Sequence, residues 1–356
     1  MSALVVLVAG GTGGHINAAI AMGERLKSRG YEIQFLTGQR PLDHKLFQGL
    51  NAHHLESWPL RTKNPIKLLL SLVKNFRVFV EIYKSFKIRR PEFAVGAGGY
   101  VCGPTLLAAK LQGIPVFIIE QNAVLGLTNR LLAKFSNLIF THFKNTRNLP
   151  GELRAKVRVV GNPTRSSIVY TAPRKIEAPL RVLVFGGSLG AQQINRAIEL
   201  LIQSDPGMEL DIVHQTGADQ KPQISIAPNV SYRPTKYIDN IQLEYAWADV
   251  VVARAGASTV SELRIIRKPC LLVPYPKATD NHQVWNAREL KEEKVCAVQI
   301  ADENSTAEAL RDQLLVFLKS ALKAELQASQ DDRIAVDSAD KAIEEIIRHV
   351  GTLKKN

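Results

Sequence analysis

"LVVLVAGGTGGHINAAIA", residues Leu4 to Ala21, runs six apolar side chains into four glycines, a histidine and then small residues that suit a helix. A short β-branched run that stops at glycines before a helical pattern reads as a buried strand, a tight turn and a helix start, the first step of a parallel α/β sheet. The chain uses the device again. "LRVLVFGGSLGAQ" at Leu180 to Gln192 is a second copy, and each half later adds another strand and glycine turn, "FAVGAGGYVCGP" at Phe93 to Pro104 and "DVVVARAGASTVSE" at Asp249 to Glu262.

Between these landmarks, strand-like runs alternate with amphipathic segments. The first series is Leu4–Ala9, Glu32–Leu36, Phe93–Val95, Pro115–Ile119, Leu138–Thr141 and Val157–Val160; the second is Arg181–Phe185, Leu210–Gln215, Val230–Tyr232, Val250–Ala253, Pro269–Val273 and Val295–Gln299. The expected fold class is therefore α/β, with two doubly wound Rossmann-like domains, residues 1–162 and 163–336, whose glycine turns line a common cleft at the carboxyl ends of the strands. The boundary is expected between Asn162 and Pro179, where "NPTRSSIVYTAPRKIEAP" holds three prolines and no strong periodicity. A last helix, about 337–356, is expected to pack back on the first domain.

A chain of 356 residues with 46% hydrophobic content can bury a large core. Its net charge of +13 favours an acidic partner: a phosphorylated substrate, an anionic membrane surface or nucleic acid. With 6% aromatic residues and no RNA-binding or zinc-finger pattern, nucleic acid is the weakest of the three and is not expected. Cys102, Cys270 and Cys296 are far apart and odd in number, which reads as buried fillers in a reducing compartment. The amino-terminal apolar run lacks a basic flank and is too short for a secretory signal. The most apolar long segment, Pro65 to Arg90, is interrupted by Lys67, Lys74, Arg77 and Glu81, so no membrane span is expected.

Glycines at a strand-to-helix turn let a ligand approach the backbone, and the amides at the helix start favour an anion. For either copy alone, a purely structural turn is the competing reading. NAD fits poorly: the second strand ends "FLTGQR", without the acidic residue a dinucleotide fold uses on the ribose, and "GGTGG" does not match GxGxxG. A nucleoside diphosphate suits better. In "ARAGASTVSELRIIRKP", Gly256 and Ala257 open a helix, and Glu262 lies one to two turns in, where a carboxylate can accept hydrogen bonds from a ribose diol. Alone, Glu262 reads equally well as a helix-start carboxylate that complements the macrodipole.

The blocks "GGTGGH", "GAGGYVCGPTLLAAKLQGIPVFIIEQNAVLGLTNRLLAKFS", "VGNPTR", "GGSLGAQQIN", "YIDNIQLEYAWADVVVARAGASTVSEL" and "DNHQVWNA" resemble, in order and spacing, the MurG family, the bacterial enzymes of glycosyltransferase family 28 type that transfer N-acetylglucosamine from UDP-N-acetylglucosamine to lipid I, giving lipid II for peptidoglycan. The resemblance extends from about Val5 to Ala287. It implies a GT-B fold, with the donor held mainly by the second domain and lipid I by the first. It further implies that Ser188 contacts the diphosphate and the main chain of Ile238 the uracil, and that Ala257, Ser258, Thr259, Val260 and Ser261 form the helix start under the phosphates, with Glu262 on the ribose. Gln283 would bind sugar hydroxyls and Arg165 would lie near the nucleotide. Thr12, Gly13, Gly14 and Asn122 would line the site from the first domain. No metal and no cofactor are implied; partners would be UDP-N-acetylglucosamine, lipid I, the anionic cytoplasmic membrane surface and other cell-wall synthesis and division proteins. Three positions depart from the family pattern: Ile119 stands where the family usually has histidine, Ala18 replaces a proline and Leu189 a glutamine. A related transferase with another lipid acceptor, or a UDP-N-acetylglucosamine epimerase, are the alternatives.

Inverting transfer to an alcohol needs a base and a means of stabilising the leaving UDP. His15, at the rim of the first glycine turn, is the expected base, since imidazole is the side chain whose intrinsic pKa lies near neutrality; capping the turn is its competing role. No Asp-x-Asp pair occurs, and helix-start amides with Ser188 are expected to meet the leaving-group charge. His282 adjoins Gln283, and Asp280 would orient that loop or cap a turn. His44, His53, His54, His142, His214 and His349 read as ordinary surface or core.

Between Arg61 and Arg90 there are nine basic residues against one acidic, Glu81. Leu69, Leu72, Val73, Phe76, Val80 and Tyr83 recur at helical spacing and are expected to face the core. Val78 and Ile82 fall on the opposite side, among lysines, and are expected to meet an anionic bilayer or, failing that, solvent.

Overall fold

The computed structural model describes residues 2–60, 62, 64–172, 174–187, 190–217, 225–323 and 338–354. The chain separates into two compact units, Met1–Arg165 with Ala335–Asn356, and Ser166–Ile334.

The first unit is built in the order β1 (Leu4–Val8), α1 (Gly13–Ser28), β2 (Glu32–Thr37), α2 (Pro41–Leu46), β3 (Ala52–His54), α3 (Pro65–Ile88), β4 (Phe93–Gly96), α4 (Cys102–Leu111), β5 (Val116–Glu120), α5 (Leu127–Ala133), β6 (Leu138–Thr141) and β7 (Val157–Val159). All seven strands are parallel, in the order β3-β2-β1-β4-β5-β6-β7. The sheet is buried on both faces, which explains why β1 reads as a continuous apolar run rather than an alternation. Val5 and Leu7 point into one core with Ile16, Met22 and Leu26 of α1; Val6 and Val8 point into the other with Leu106 of α4.

The second unit runs β8 (Leu180–Phe185), α6 (Gln192–Gln203), β9 (Leu210–Gln215), β10 (Val230–Thr235), α7 (Ile241–Trp247), β11 (Val250–Ala253), α8 (Ala257–Ile266), β12 (Cys270–Leu272), α9 (His282–Glu293), β13 (Val298–Ile300) and α10 (Ala307–Leu322). Its six strands are parallel, in the order β10-β9-β8-β11-β12-β13. In both units the strand order reverses beside the first strand, between β1 and β4 and between β8 and β11. Those reversals open the crevice in which doubly wound sheets hold ligands. The final helix, α11 (Ser338–Leu353), lays Ile343, Ile346 and Val350 into the core of the first unit, and Arg29, the C-cap of α1, donates to Asp340 at 2.8 Å.

Two expectations fail here. β3 had no expected counterpart. The face assignment of α3 is largely inverted: Val78 and Ile82, expected outside, are 2% and 1% exposed and pack with Phe86 under the sheet, while Leu69 and Phe76, expected inside, are 63% and 66% exposed; of the set expected inside, Tyr83 does pack on this core. The physical reason is that the buried stripe of this helix begins with polar residues. Ser71 donates to the Lys67 and Pro59 carbonyls, and the Asn75 side chain is held by Ser57 and Trp58, so the core side shows fewer apolar residues than the outer side. The three cysteines are buried free thiols, and burial pushes Cys102 up to about 12.

Candidate active site

At the carboxyl end of the first sheet, the turn after β1 is locked to the turn after β4. The Gly10 amide donates to the Gly98 carbonyl at 3.3 Å. A β-carbon on Gly99, whose φ is +95°, would stand 2.2 Å from the Gly10 oxygen, so this close approach requires glycine. Thr12 caps α1, its hydroxyl accepting from the His15 amide at 3.4 Å. Gly13 and Gly14 form the first turn, and His15 follows with its ring over Gly98 and Nδ1 3.2 Å from the Gly10 oxygen. A carbonyl only accepts, so Nδ1 carries the proton and, in the neutral ring, Nε2 carries the lone pair.

Three residues the sequence reading passed over frame this turn. Buried Asp43 accepts from the Gly11 amide at 3.0 Å and from the Arg40 amide at 3.0 Å. Arg40 Nη1 donates to the Gly11 carbonyl at 3.2 Å, and its guanidinium lies 5.0 Å from the centre of the Tyr100 ring. The signal was an acid three residues after Arg40, at the position where a helix-start carboxylate reaches back to the cap. Asn122 follows β5, where buried Glu120 accepts from its amide at 3.0 Å and its Nδ2 at 3.1 Å, and from the Gly126 amide and Asn129 Nδ2. Gln121 ties the same loop to Ala97. His15 and Asn122 thus stand on the loops after β1 and β5, on either side of the turn after β4. Arg165 ends the first of the two segments that make up the first unit.

In the second unit, β8 runs into Gly186, Gly187 and Gly190, the last two at φ +92° and +77°. Ser188, with Leu189, lies outside the described residues. α8 starts at Ala257 after the cap Gly256 and has no acidic residue in its first turn. Helix geometry leaves the amides of Ala257, Ser258 and Thr259 without intrahelical acceptors. Val260 and Ser261 differ: the Val260 amide closes the first helical bond onto Gly256, its side chain is buried, and the Ser261 hydroxyl donates back to Ala257 at 2.7 Å. Glu262 is buried, and its Oε2 accepts from the Tyr245 hydroxyl at 2.8 Å. The Ile238 amide donates to Gln215 Oε1 at 2.9 Å. Gln283, on the first turn of α9, accepts from the Tyr275 amide at 2.9 Å. Asp280 and Asn281, just before it, both adopt left-handed φ, at +53° and +52°, which marks a constrained turn. Arg254, in the turn after β11, carries no motif signal of its own in the sequence. It is buried, and its Nη1 donates to Gln193 Oε1 and to the Val273 and Pro274 carbonyls, tying the turn after β11 to the first turn of α6 and to the segment after β12. Of the histidines left aside, His142 and His214 are core residues and His349 meets Asn137.

Residues 5–141 match the glycosyltransferase family 28 N-terminal domain and residues 181–346 the family 28 C-terminal domain. The chain is 36% identical, over 96% of its length and 92% of the relative's, to an Anaeromyxobacter protein named UDP-N-acetylglucosamine--N-acetylmuramyl-(pentapeptide) pyrophosphoryl-undecaprenol N-acetylglucosamine transferase. It is 37% identical to the protein of the same name from Pseudomonas syringae, over 82% of this chain and 83% of that one. The chain belongs to the MurG family of glycosyltransferase family 28. The crystal structure of Acinetobacter baumannii MurG matches it with a TM-score of 0.71 at 26% identity, covering 97% of this chain and 99% of that one. The two parallel-sheet units are those of a GT-B glycosyltransferase.

Proposed function

We propose that this enzyme transfers N-acetylglucosamine, with inversion, from UDP-N-acetylglucosamine to the muramyl sugar of lipid I, releasing UDP and lipid II. The observation that carries the proposal is the identity of 36% sustained over 96% of the chain with a relative named for that reaction.

In this reading residues 1–162 and the last helix serve the acceptor, and 163–336 serve the donor. The three orphan amides of α8 and the nearby Arg254 would stabilise the diphosphate and the charge that develops on UDP as the glycosidic bond breaks. Ser188 and Arg165 would add to that set, Glu262 would take the ribose hydroxyls, Ile238 the uracil and Gln283 the sugar. On the acceptor side, the Nδ1–H tautomer of His15 supports the role of base: Nε2 would take the proton from the muramyl hydroxyl as its oxygen attacks the anomeric carbon. Thr12 to Gly14, Arg40 and Asn122 would orient the acceptor's diphosphate and sugar.

The lipid tail of such an acceptor calls for contact with a membrane, and no helix among the described residues is long and apolar enough to cross one. The exposed half of α3 supports a peripheral contact with the cytoplasmic face: Ile66, Leu69, Leu70, Val73 and Phe76 point outward among Lys67 and Arg77. Apolar side chains insert while the cations meet anionic headgroups.

The test offers the purified enzyme labelled donor with a lipid I analogue or with diacylglycerol. Label is expected on the lipid I analogue alone; label on diacylglycerol, or none on either lipid, would overturn the proposal.

A further inference from the structure

The turn after β8, the end of β9 and the segment after β10 are adjacent at the carboxyl end of the second sheet, because β10, β9 and β8 are neighbouring parallel strands. Gln215, the last residue of β9, is buried there. Its Nε2 donates to the Gly187 carbonyl at 2.8 Å, and its Oε1 accepts from the Ile238 amide at 2.9 Å. One planar side chain thus joins the glycine turn on one side to the Ile238 segment on the other.

The neighbouring contacts brace the same joint. A β-carbon on Gly190 would stand 2.3 Å from the Thr216 oxygen, so the glycine turn lies directly against the chain that follows Gln215. The Thr216 amide donates to Thr235 at 2.9 Å, and Asn195 Nδ2 donates to the Thr216 carbonyl at 2.8 Å. Gly187 itself holds φ +92°, a conformation whose stability depends on such partners.

We infer that Gln215 is a positioning residue for the nucleotide: its carboxamide clamps the diphosphate-binding turn to the base-binding segment and holds the two halves of the donor site at one separation. The inference rests on the donor reading above, which puts the diphosphate at the glycine turn and the base at Ile238. A ligand that spans two correctly spaced subsites gains from both with a single loss of freedom, so a clamp between subsites strengthens UDP more than it strengthens uridine. Side-chain length and polarity are both required. Asparagine is one methylene short, and glutamate would keep the bond from Ile238 while turning an acceptor toward the Gly187 carbonyl.

The test compares wild type, Gln215→Ala and Gln215→Glu by calorimetry with UDP and with uridine, and by steady-state kinetics with both substrates. Loss of two neutral hydrogen bonds should raise donor KM and UDP Kd by roughly 5- to 150-fold. The uridine Kd should rise less than the UDP Kd, while acceptor KM stays at the wild-type value. Gln215→Glu, nearly isosteric, guards against a folding defect and should reproduce the narrowed ratio of UDP to uridine affinity. An unchanged ratio in both variants, or a fall in kcat with donor KM unaltered, would overturn the inference. Failure of wild type to bind UDP at all would instead overturn the donor reading and this inference with it.

Discussion

His15 Nδ1 stands 3.2 Å from the main-chain oxygen of Gly10, and the same imidazole lies over Gly98, where a β-carbon would come within 2.7 Å of its Cδ2. The tautomer and the ring position are therefore both set by backbone. His15→Ala is expected to lower kcat by roughly 10²–10⁴-fold with donor affinity near normal, and to abolish the acidic limb of the kcat–pH profile. Gly98→Ala keeps the imidazole but displaces it, and adds strain at φ +108°. It should reproduce most of the kcat loss with donor Kd unchanged. Retention of more than about half of kcat in His15→Ala, far above the usual effect of removing a base, would leave the histidine a capping residue.

Glu262 is expected to act through the carboxylate that Tyr245 orients. Glu262→Ala should weaken UDP binding about ten- to 150-fold, the range of charge-assisted hydrogen bonds. Tyr245→Phe removes only the hydroxyl at 2.8 Å and should cost about two- to tenfold, the range of a single neutral bond. Titration calorimetry on both variants checks the order; equal affinities across wild type and Glu262→Ala would remove Glu262 from the ribose.

The outward half of α3 and its buried half should behave oppositely. Leu69→Asp with Phe76→Asp is expected to release the protein from anionic vesicles with turnover of a short-chain, water-soluble acceptor preserved. Val78→Asp puts a carboxylate into the core and is expected to destabilise the fold by several kcal/mol, since an unpaired buried charge cannot recover its hydration. Co-sedimentation and thermal unfolding separate the two outcomes. Undiminished vesicle binding by the double variant would move the membrane contact elsewhere.

Burial holds the His214 imidazole down at about 4, from an ordinary 6.5. Its Nε2 donates to Asn195 Oδ1 at 3.1 Å and its Nδ1 accepts from the Tyr232 hydroxyl at 2.9 Å, an arrangement that fits the neutral ring alone. The folded pKa lies below the unfolded one, so the unfolded chain takes up this proton first as pH falls. The stability is present in full above about 6.5 and is lost progressively toward about 4, by an amount on the order of 3 kcal/mol. Urea unfolding of wild type and His214→Gln across that window should show the difference between them shrinking as pH falls. A pH-independent difference would contradict the buried neutral ring.

How far the sequence could be read followed from how local each signal was. β1 and β8 stop at glycines within one short window, so the strand, the turn and the helix start were all visible together. β3 is three residues, Ala52 to His54, with two histidines, and its place at the sheet edge needs no apolar pattern. The α3 face was misread because Ser71 and Asn75 sit on its buried side and the larger apolar set sits outside. Arg40, Asp43 and Tyr100 meet Gly11 only through the fold, from up to 89 positions away in sequence, and no periodicity carries such a contact. The same holds for the Gln215 and Arg254 junctions, which become visible once neighbouring strand ends are brought side by side.

The central claim is tested most directly by incubating the purified enzyme with UDP-N-acetylglucosamine labelled in the sugar, in anionic vesicles with and without a lipid I analogue, and determining the lipid product and its anomeric configuration by NMR. The account predicts one labelled disaccharide lipid per UDP released, in the β configuration opposite to the donor's α linkage, and no turnover of donor without the acceptor. A product that retains the α configuration, or conversion of the donor to an epimeric sugar nucleotide in vesicles that lack lipid I, would contradict it.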